Sequence, residues 1–410
     1  MNACPAPDLA ITGIGITSAI GQGTAAFGSA LLAGRSRFDF MRRPGRQWRL
    51  DDCTQSAFLG AEIDALRLPA DFSPERLRTV SFSGRVALAT LAEAWCDARL
   101  DTLDPTRVGL LIGGSNVQQR DLVRTHGELR ERMPFVRPSY GLSFFDSDLC
   151  GTCTEHFGIG GFAHTVGGAS ASGQLAVIEA AEAVQSGRVD ACIALGALQD
   201  LSYWECQGLR SIGAMGSDRY ADAPALACRP FDTDHDGFIY GEACGAVVVE
   251  RAQAARRDPY ARIAGWSVGM DRNRNPNPSR EGEVRVIDQA LQMASLPPRA
   301  IDYVNPHGSG SRLGDETELA ALQQCGLSEA HLNATKSVTG HGLSAAGAVE
   351  IIATLVQMAA GRLHPTLNLQ APISPDFCWV RQPTSHRIMN SLSLSFGFGG
   401  LNTAVCLQRM

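Results

Sequence analysis

The nine residues Thr165-Val166-Gly167-Gly168-Ala169-Ser170-Ala171-Ser172-Gly173 lead from an extended segment into a helix. The helix runs from about Ala171 to Gln185. Val177, Ala181 and Val184 form one apolar stripe, with Leu175 and Ile178 beside it. A turn of this kind presents one side chain at a helix N-terminus. Unpaired backbone N–H groups there favour a developing negative charge. Ser170 occupies that place. As an N-cap it needs no chemistry. As a hydrolase nucleophile it needs Gly-x-Ser-x-Gly, and Ser172 stands where the second glycine belongs.

Working outward, strand and helix patterns alternate, which predicts an α/β layered fold. Strands are expected at Leu9–Ile16, Val108–Ile112, Ala191–Gly196 and Ala246–Glu250, and helices at Thr24–Ala33 and Leu77–Ala98. The pattern then restarts. Strands are expected at Arg262–Val268, Ile301–Val304, Arg387–Ser395 and Thr403–Gln408, and helices at Val284–Ala294, Glu316–Cys325 and Leu343–Ala360. The restart predicts a duplicated architecture, with one half over 1–255 and the other over 256–410.

Two further glycine-rich turns carry histidines. Asn305-Pro306-His307-Gly308-Ser309-Gly310-Ser311 follows a strand, where α/β folds place ligands. Lys336-Ser337-Val338-Thr339-Gly340-His341-Gly342 precedes the helix that contains Glu350. Lys336 is the single lysine of the chain; the rest of the 36 Lys+Arg residues are arginine. His307, His341, Lys336 and Glu350 together suit acid–base or oxyanion work. A fourth run, Phe396-Gly397-Phe398-Gly399-Gly400, brings a backbone N–H close to the same point.

Composition narrows the field. The 410 residues are 44% hydrophobic and 19% charged, enough for a sizeable core. A net charge of −6 argues against a general nucleic-acid binder. The apolar runs Ala191–Leu195 and Ala246–Val249 are too short to cross a bilayer, and no basic segment precedes an apolar stretch at the N-terminus, so a cytoplasmic protein is expected. The twelve cysteines are expected to be reduced and mostly buried. Cys150 and Cys153 have metal or redox spacing, but no second pair accompanies them, and no metal site is expected. The arginine-rich segment Met41–Arg49 is expected to be a solvated loop or a docking patch for an acidic partner.

Several motifs in order resemble the β-ketoacyl-acyl-carrier-protein synthase family over essentially the whole chain. They are Ile11–Gly15, Arg229-Pro230-Phe231-Asp232 through Gly241-Glu242, the His307 turn, the Lys336–His341 turn, and the Phe396–Asn402 tail. The resemblance implies a thiolase-like fold of five layers, α/β/α/β/α, built from two related halves. It also implies a homodimer, acyl-carrier-protein substrates, and a second oxyanion hole from the backbone N–H groups of Ser170 and Phe398. One departure matters most. The family's cysteine nucleophile falls, by position, on Ser170.

Cysteine at a helix N-terminus ionises readily, whereas serine needs a well-placed base. Decarboxylation of a malonyl thioester needs no enzyme nucleophile. It needs donors for an enolate oxygen, and His307 and His341 remain. The sequence resembles free-standing proteins of polyketide β-branching cassettes that turn malonyl-carrier into acetyl-carrier without condensation. In those cassettes an HMG-CoA-synthase-like enzyme acts next. The chain itself is expected to bind no cofactor, since the acyl group rides on the carrier's phosphopantetheine arm. Lys336 is expected to pair with Glu350 and organise the histidine turn. The alternatives are a serine-dependent β-ketoacyl synthase and a non-catalytic chain-length partner subunit.

Overall fold

The computed structural model describes residues 8–50, 54–70 and 72–410, with the side chains of 48–50 and 54–57 left aside. Its centre is a 12-stranded mixed sheet. In spatial order the strands are Cys378–Trp379, His331–Leu332, Tyr303–Asn305, Asn390–Gly397, Leu401–Gln408, Ala261–Met270, Leu9–Ser18, Ala243–Arg251, Ala191–Gly196, Val108–Gly113 and Phe162–Val166. The short strand Gly21–Gln22 pairs with Leu9–Ser18. The first six strands come from the second α/β pass and the last five from the first. Among the described residues the two groups meet over three antiparallel pairs, Leu9 with Ile263, Ala10 with Arg262 and Ile11 with Ala261.

Helices cover both faces. The helix Phe82–Ala98 packs on Leu9–Ser18 and Ala243–Arg251, while Arg280–Ala294 packs on Ala261–Met270 and Leu401–Gln408. Between the two sheet halves lie Ser172–Gln185 and Ala346–Ala360, packed on each other. This gives the five layers the family resemblance implied. Strands Ala191–Gly196 and Ala243–Arg251 are covered on both faces, so they read as continuous apolar runs.

Three expectations need correction. The helix expected over 77–98 is two, Pro74–Leu77 and Phe82–Ala98, because the Ser81 side chain accepts from the Gly84 N–H and starts the second. The segment Leu343–Ala360 is in fact long and apolar enough to cross a membrane, with a mean hydropathy of 1.6, yet 78% of it is buried inside the protein. Packed between two sheets, a core helix is apolar all round. The arginine-rich segment is neither solvated nor available for docking at its central arginines. Arg46 is fully buried, bridging Glu62, Asp200 and Glu242, and Arg43 pairs with Glu242. Arg42 is exposed beside Asp39, and the side chain of Arg49 lies outside the described residues.

Candidate active site

Ser170 sits on a short turn, Ala169–Ala171, that feeds the buried helix Ser172–Gln185. It is not the N-cap. Ser172 does the local hydrogen bonding, accepting from the Gly168 N–H and donating to the Ala169 carbonyl. Ala169 takes a left-handed φ of 48°, an arrangement that costs a non-glycine residue about 1–3 kcal/mol. That turn leaves the Ser170 hydroxyl facing Nε2 of His341 at 2.9 Å.

His341 is held by its own backbone. Its N–H donates to the Ile239 carbonyl and its carbonyl accepts from Gly241. Gly340 precedes it at φ 76°, against Gly241, where a Cβ would lie 2.8 Å from the Gly241 Cα. The Leu343 N–H donates to Nδ1 of His341 at 3.2 Å, from a left-handed φ of 50° at Leu343. An Nδ1 that accepts leaves the proton on Nε2 in the neutral ring. Nε2–H is therefore a donor aimed at Ser170 Oγ.

His307 has the same polarity. The Lys336 ammonium lies 3.4 Å from its Nδ1 and also donates to the His307 carbonyl, which leaves Nε2 to carry the ring proton. The two imidazoles stand edge to face, with centroids 5.4 Å apart. Burial, together with the Lys336 charge, holds both well below the usual histidine range, His307 lowered further by His341. Both rings are neutral at physiological pH. Lys336 is itself buried and pairs with Glu350, whose carboxyl burial pushes up to about 7 against the pull of the lysine. The sequence expectation for this pair holds in the geometry.

A cavity of about 260 Å³ is bordered by Ser170, His307, His341, Phe396 and Phe398. Exposed Ile212 and Leu313 also border it, so it reaches the surface. Gly397 lies against the serine turn, where a Cβ would stand 3.3 Å from the Ala171 nitrogen, and this carries Phe398 to the same place. A larger hollow of about 670 Å³ near Phe72 and His156 borders neither Ser170 nor either of these histidines.

Two acidic residues that sequence reasoning passed over shape the His307 turn. The Glu318 carboxyl accepts from the His307 and Gly308 N–H groups. Asp315 accepts from Gly310 and from Phe231 of the Arg229–Asp232 motif. Their signal was present. Asp315 and Glu318 lie one turn apart on the helix Arg312–Gln324, on the same face as Leu319 and Leu322. Burial raises Glu318 to about 8, outweighing the two N–H donors. Cys150 and Cys153 lie away from this site on the helix Ser147–Phe157, and burial pushes both thiols up, Cys150 to about 11, which makes them poor nucleophiles.

Two family models cover most of the chain. Residues 6–255 match the beta-ketoacyl synthase N-terminal domain, and residues 260–370 match the beta-ketoacyl synthase C-terminal domain. The chain belongs to the beta-ketoacyl synthase family. Among curated relatives, the polyketide biosynthesis malonyl-ACP decarboxylase PksF of Bacillus subtilis is 58% identical, over 100% of this chain and 98% of its own. The 3-oxoacyl-[acyl-carrier-protein] synthase 1 of Escherichia coli K12 is 29% identical over 98% of both chains. Among solved structures, a beta-ketoacyl synthase from Burkholderia phymatum superposes with a TM-score of 0.85 at 26% identity, covering 98% of this chain and 100% of that one. As a member of this family the chain has the thiolase-like fold, with serine where the family resemblance places the nucleophilic cysteine.

Proposed function

We propose that this protein removes CO₂ from malonyl-acyl-carrier protein and releases acetyl-acyl-carrier protein for polyketide β-branching, without condensation. The observation that carries the reading is the direction of one hydrogen bond. His341 offers Nε2–H to Ser170 Oγ, so it is a donor and not a base toward that hydroxyl. An alcohol without a base is a weak nucleophile, and acyl loading is disfavoured. The same two Nε2–H groups suit the other half-reaction.

The substrate thioester enters the cavity on the carrier's phosphopantetheine arm, with its carbonyl oxygen toward His307 and His341. Loss of CO₂ moves the electron pair of the C–C bond into an enolate, and charge collects on that oxygen. Two preorganised neutral donors stabilise it, each by roughly 10²–10³ in rate. Their neutrality follows from burial beside Lys336, and their orientation from Leu343 and Lys336. Lys336 and Glu350 hold His307 from behind. The backbone N–H groups of Ser170 and Phe398 form a second oxyanion hole beside the reacting thioester.

The 58% identity to a relative named malonyl-ACP decarboxylase supports the same reading. In this organisation residues 1–255 supply Ser170 and residues 256–410 supply the histidines. The protein works in the cytoplasm as a homodimer, with the carrier as partner and an HMG-CoA-synthase-like enzyme downstream. A chain-length subunit has no use for two oriented histidine donors, and a serine-dependent synthase needs a base that Ser170 does not face.

The test is mass spectrometry of malonyl-carrier incubated with the protein. Prompt appearance of acetyl-carrier is expected. Intact malonyl-carrier together with an acyl ester on Ser170 rejects the reading in favour of a serine-dependent synthase.

A further inference from the structure

Glu283 belongs to the first turn of the helix Arg280–Ala294, and its side chain borders the same cavity as Ser170, His307 and His341. It is 1% exposed, and its Oε2 is fully buried with no hydrogen-bond partner. A buried polar atom left unpaired costs about 1–3 kcal/mol, so its retention asks for a function. The helix start is pressed inward to place it. At Gly282 a Cβ would lie 1.7 Å from Asp271 Oδ1, so any larger residue there must displace the Asp271 carboxylate. Burial, with Glu318 and Asp271 nearby, raises Glu283 well above the usual carboxylate range. Burial thus favours the protonated, neutral form of this carboxyl.

The proposed reaction has a requirement that condensation lacks. In a condensing enzyme the carbon left by CO₂ attacks an acyl group. In a decarboxylase that carbon must take a proton. The other acid–base groups at the cavity or directly behind it are engaged. His307 and His341 donate toward the enolate oxygen, Lys336 sits behind His307 against Glu350, and Asp271 accepts from Asn402. Glu318 accepts two backbone N–H groups.

We propose that Glu283 is the proton donor that converts the acetyl enolate into the acetyl thioester. The assignment rests on the decarboxylase reading. The C–CO₂ bond breaks and its electron pair forms the enolate. The Glu283 O–H bond then breaks as its proton bonds to the α-carbon, and the electrons return from the enolate to restore the thioester carbonyl. The Glu283 carboxylate regains a proton from water at the cavity mouth. The net change is malonyl thioester anion plus one proton to acetyl thioester plus CO₂.

The experiment follows acetyl-carrier formation by wild type, Glu283→Gln and Glu283→Ala, with thermal melting to verify folding. Glu283→Gln keeps the shape and a hydrogen-bond donor but has no acidic proton. Its turnover is expected to fall about 10²–10⁴-fold, the range of general acid catalysis. Added formic or acetic acid is expected to restore Glu283→Ala in proportion to the undissociated acid, which a purely structural role does not allow. Glu283→Gln within about threefold of wild type overturns the proposal, and so does a slow Glu283→Ala that neither acid accelerates. Wild type that leaves malonyl-carrier intact overturns the decarboxylase reading itself, and this assignment with it.

Discussion

The Leu343 N–H donates to Nδ1 of His341 at 3.2 Å, and this contact determines what the opposite ring nitrogen does. Nε2 must carry the proton, and Ser170 Oγ faces a donor at 2.9 Å. A single backbone bond thus separates a site that activates a nucleophile from one that stabilises an enolate.

Removing either donor removes charge stabilisation that develops only in the transition state. His307→Ala and His341→Ala are each expected to lower acetyl-carrier formation about 10²–10³-fold. Ser170→Ala is expected to stay within about tenfold of wild type, because the hydroxyl takes no covalent part. Equal losses in all three variants, measured by carrier mass spectrometry, contradict this division of labour.

Lys336 is buried with Glu350 and touches both Nδ1 and the carbonyl of His307. Lys336→Met leaves a buried carboxyl without its partner and is expected to cost about 3–5 kcal/mol in urea unfolding. Lys336→Arg is not conservative here, because a broad planar fork cannot replace a compact ammonium between three close acceptors. Its activity is expected to fall with that of Lys336→Met.

Glu318 closes the His307 turn from below. Glu318→Ala strands the His307 and Gly308 N–H groups, at about 1–3 kcal/mol each. Both stability and turnover are expected to drop. A variant with wild-type turnover shows that the turn holds His307 without it.

His364 gives a clean pH test outside the cavity. It is fully buried between Thr335 Oγ1 and the Pro365 carbonyl, and burial lowers it to about 4. Between that value and the unfolded value of about 6.5, the unfolded chain binds a proton that the folded chain does not. Stability therefore falls as pH falls through this window. Its contribution is whole above about 6.5 and is lost by about 4, a change of about 3 kcal/mol. The stability difference between wild type and His364→Gln, followed by denaturant unfolding, is expected to shift by that amount across the window. A difference independent of pH contradicts a buried neutral His364.

Much of this protein was decided locally. Apolar runs marked strands at Leu9–Ile16, Val108–Ile112 and Ala191–Gly196, because a strand covered on both faces is apolar along its length. The motif order placed Ser170, His307, Lys336 and His341 in comparable turns, and the serine announced which half-reaction was lost. Polarity within the site belonged to the tertiary structure. The sequence does not show that Leu343 points its N–H at Nδ1 of His341, or that Glu62, Asp200 and Glu242 absorb Arg46. Nor does it show that Glu283, just ahead of the helix expected at Val284–Ala294, turns an unpaired carboxyl toward the histidines' cavity. Proton position and charge pairing depend on groups far apart in the chain, and only packing brings these together.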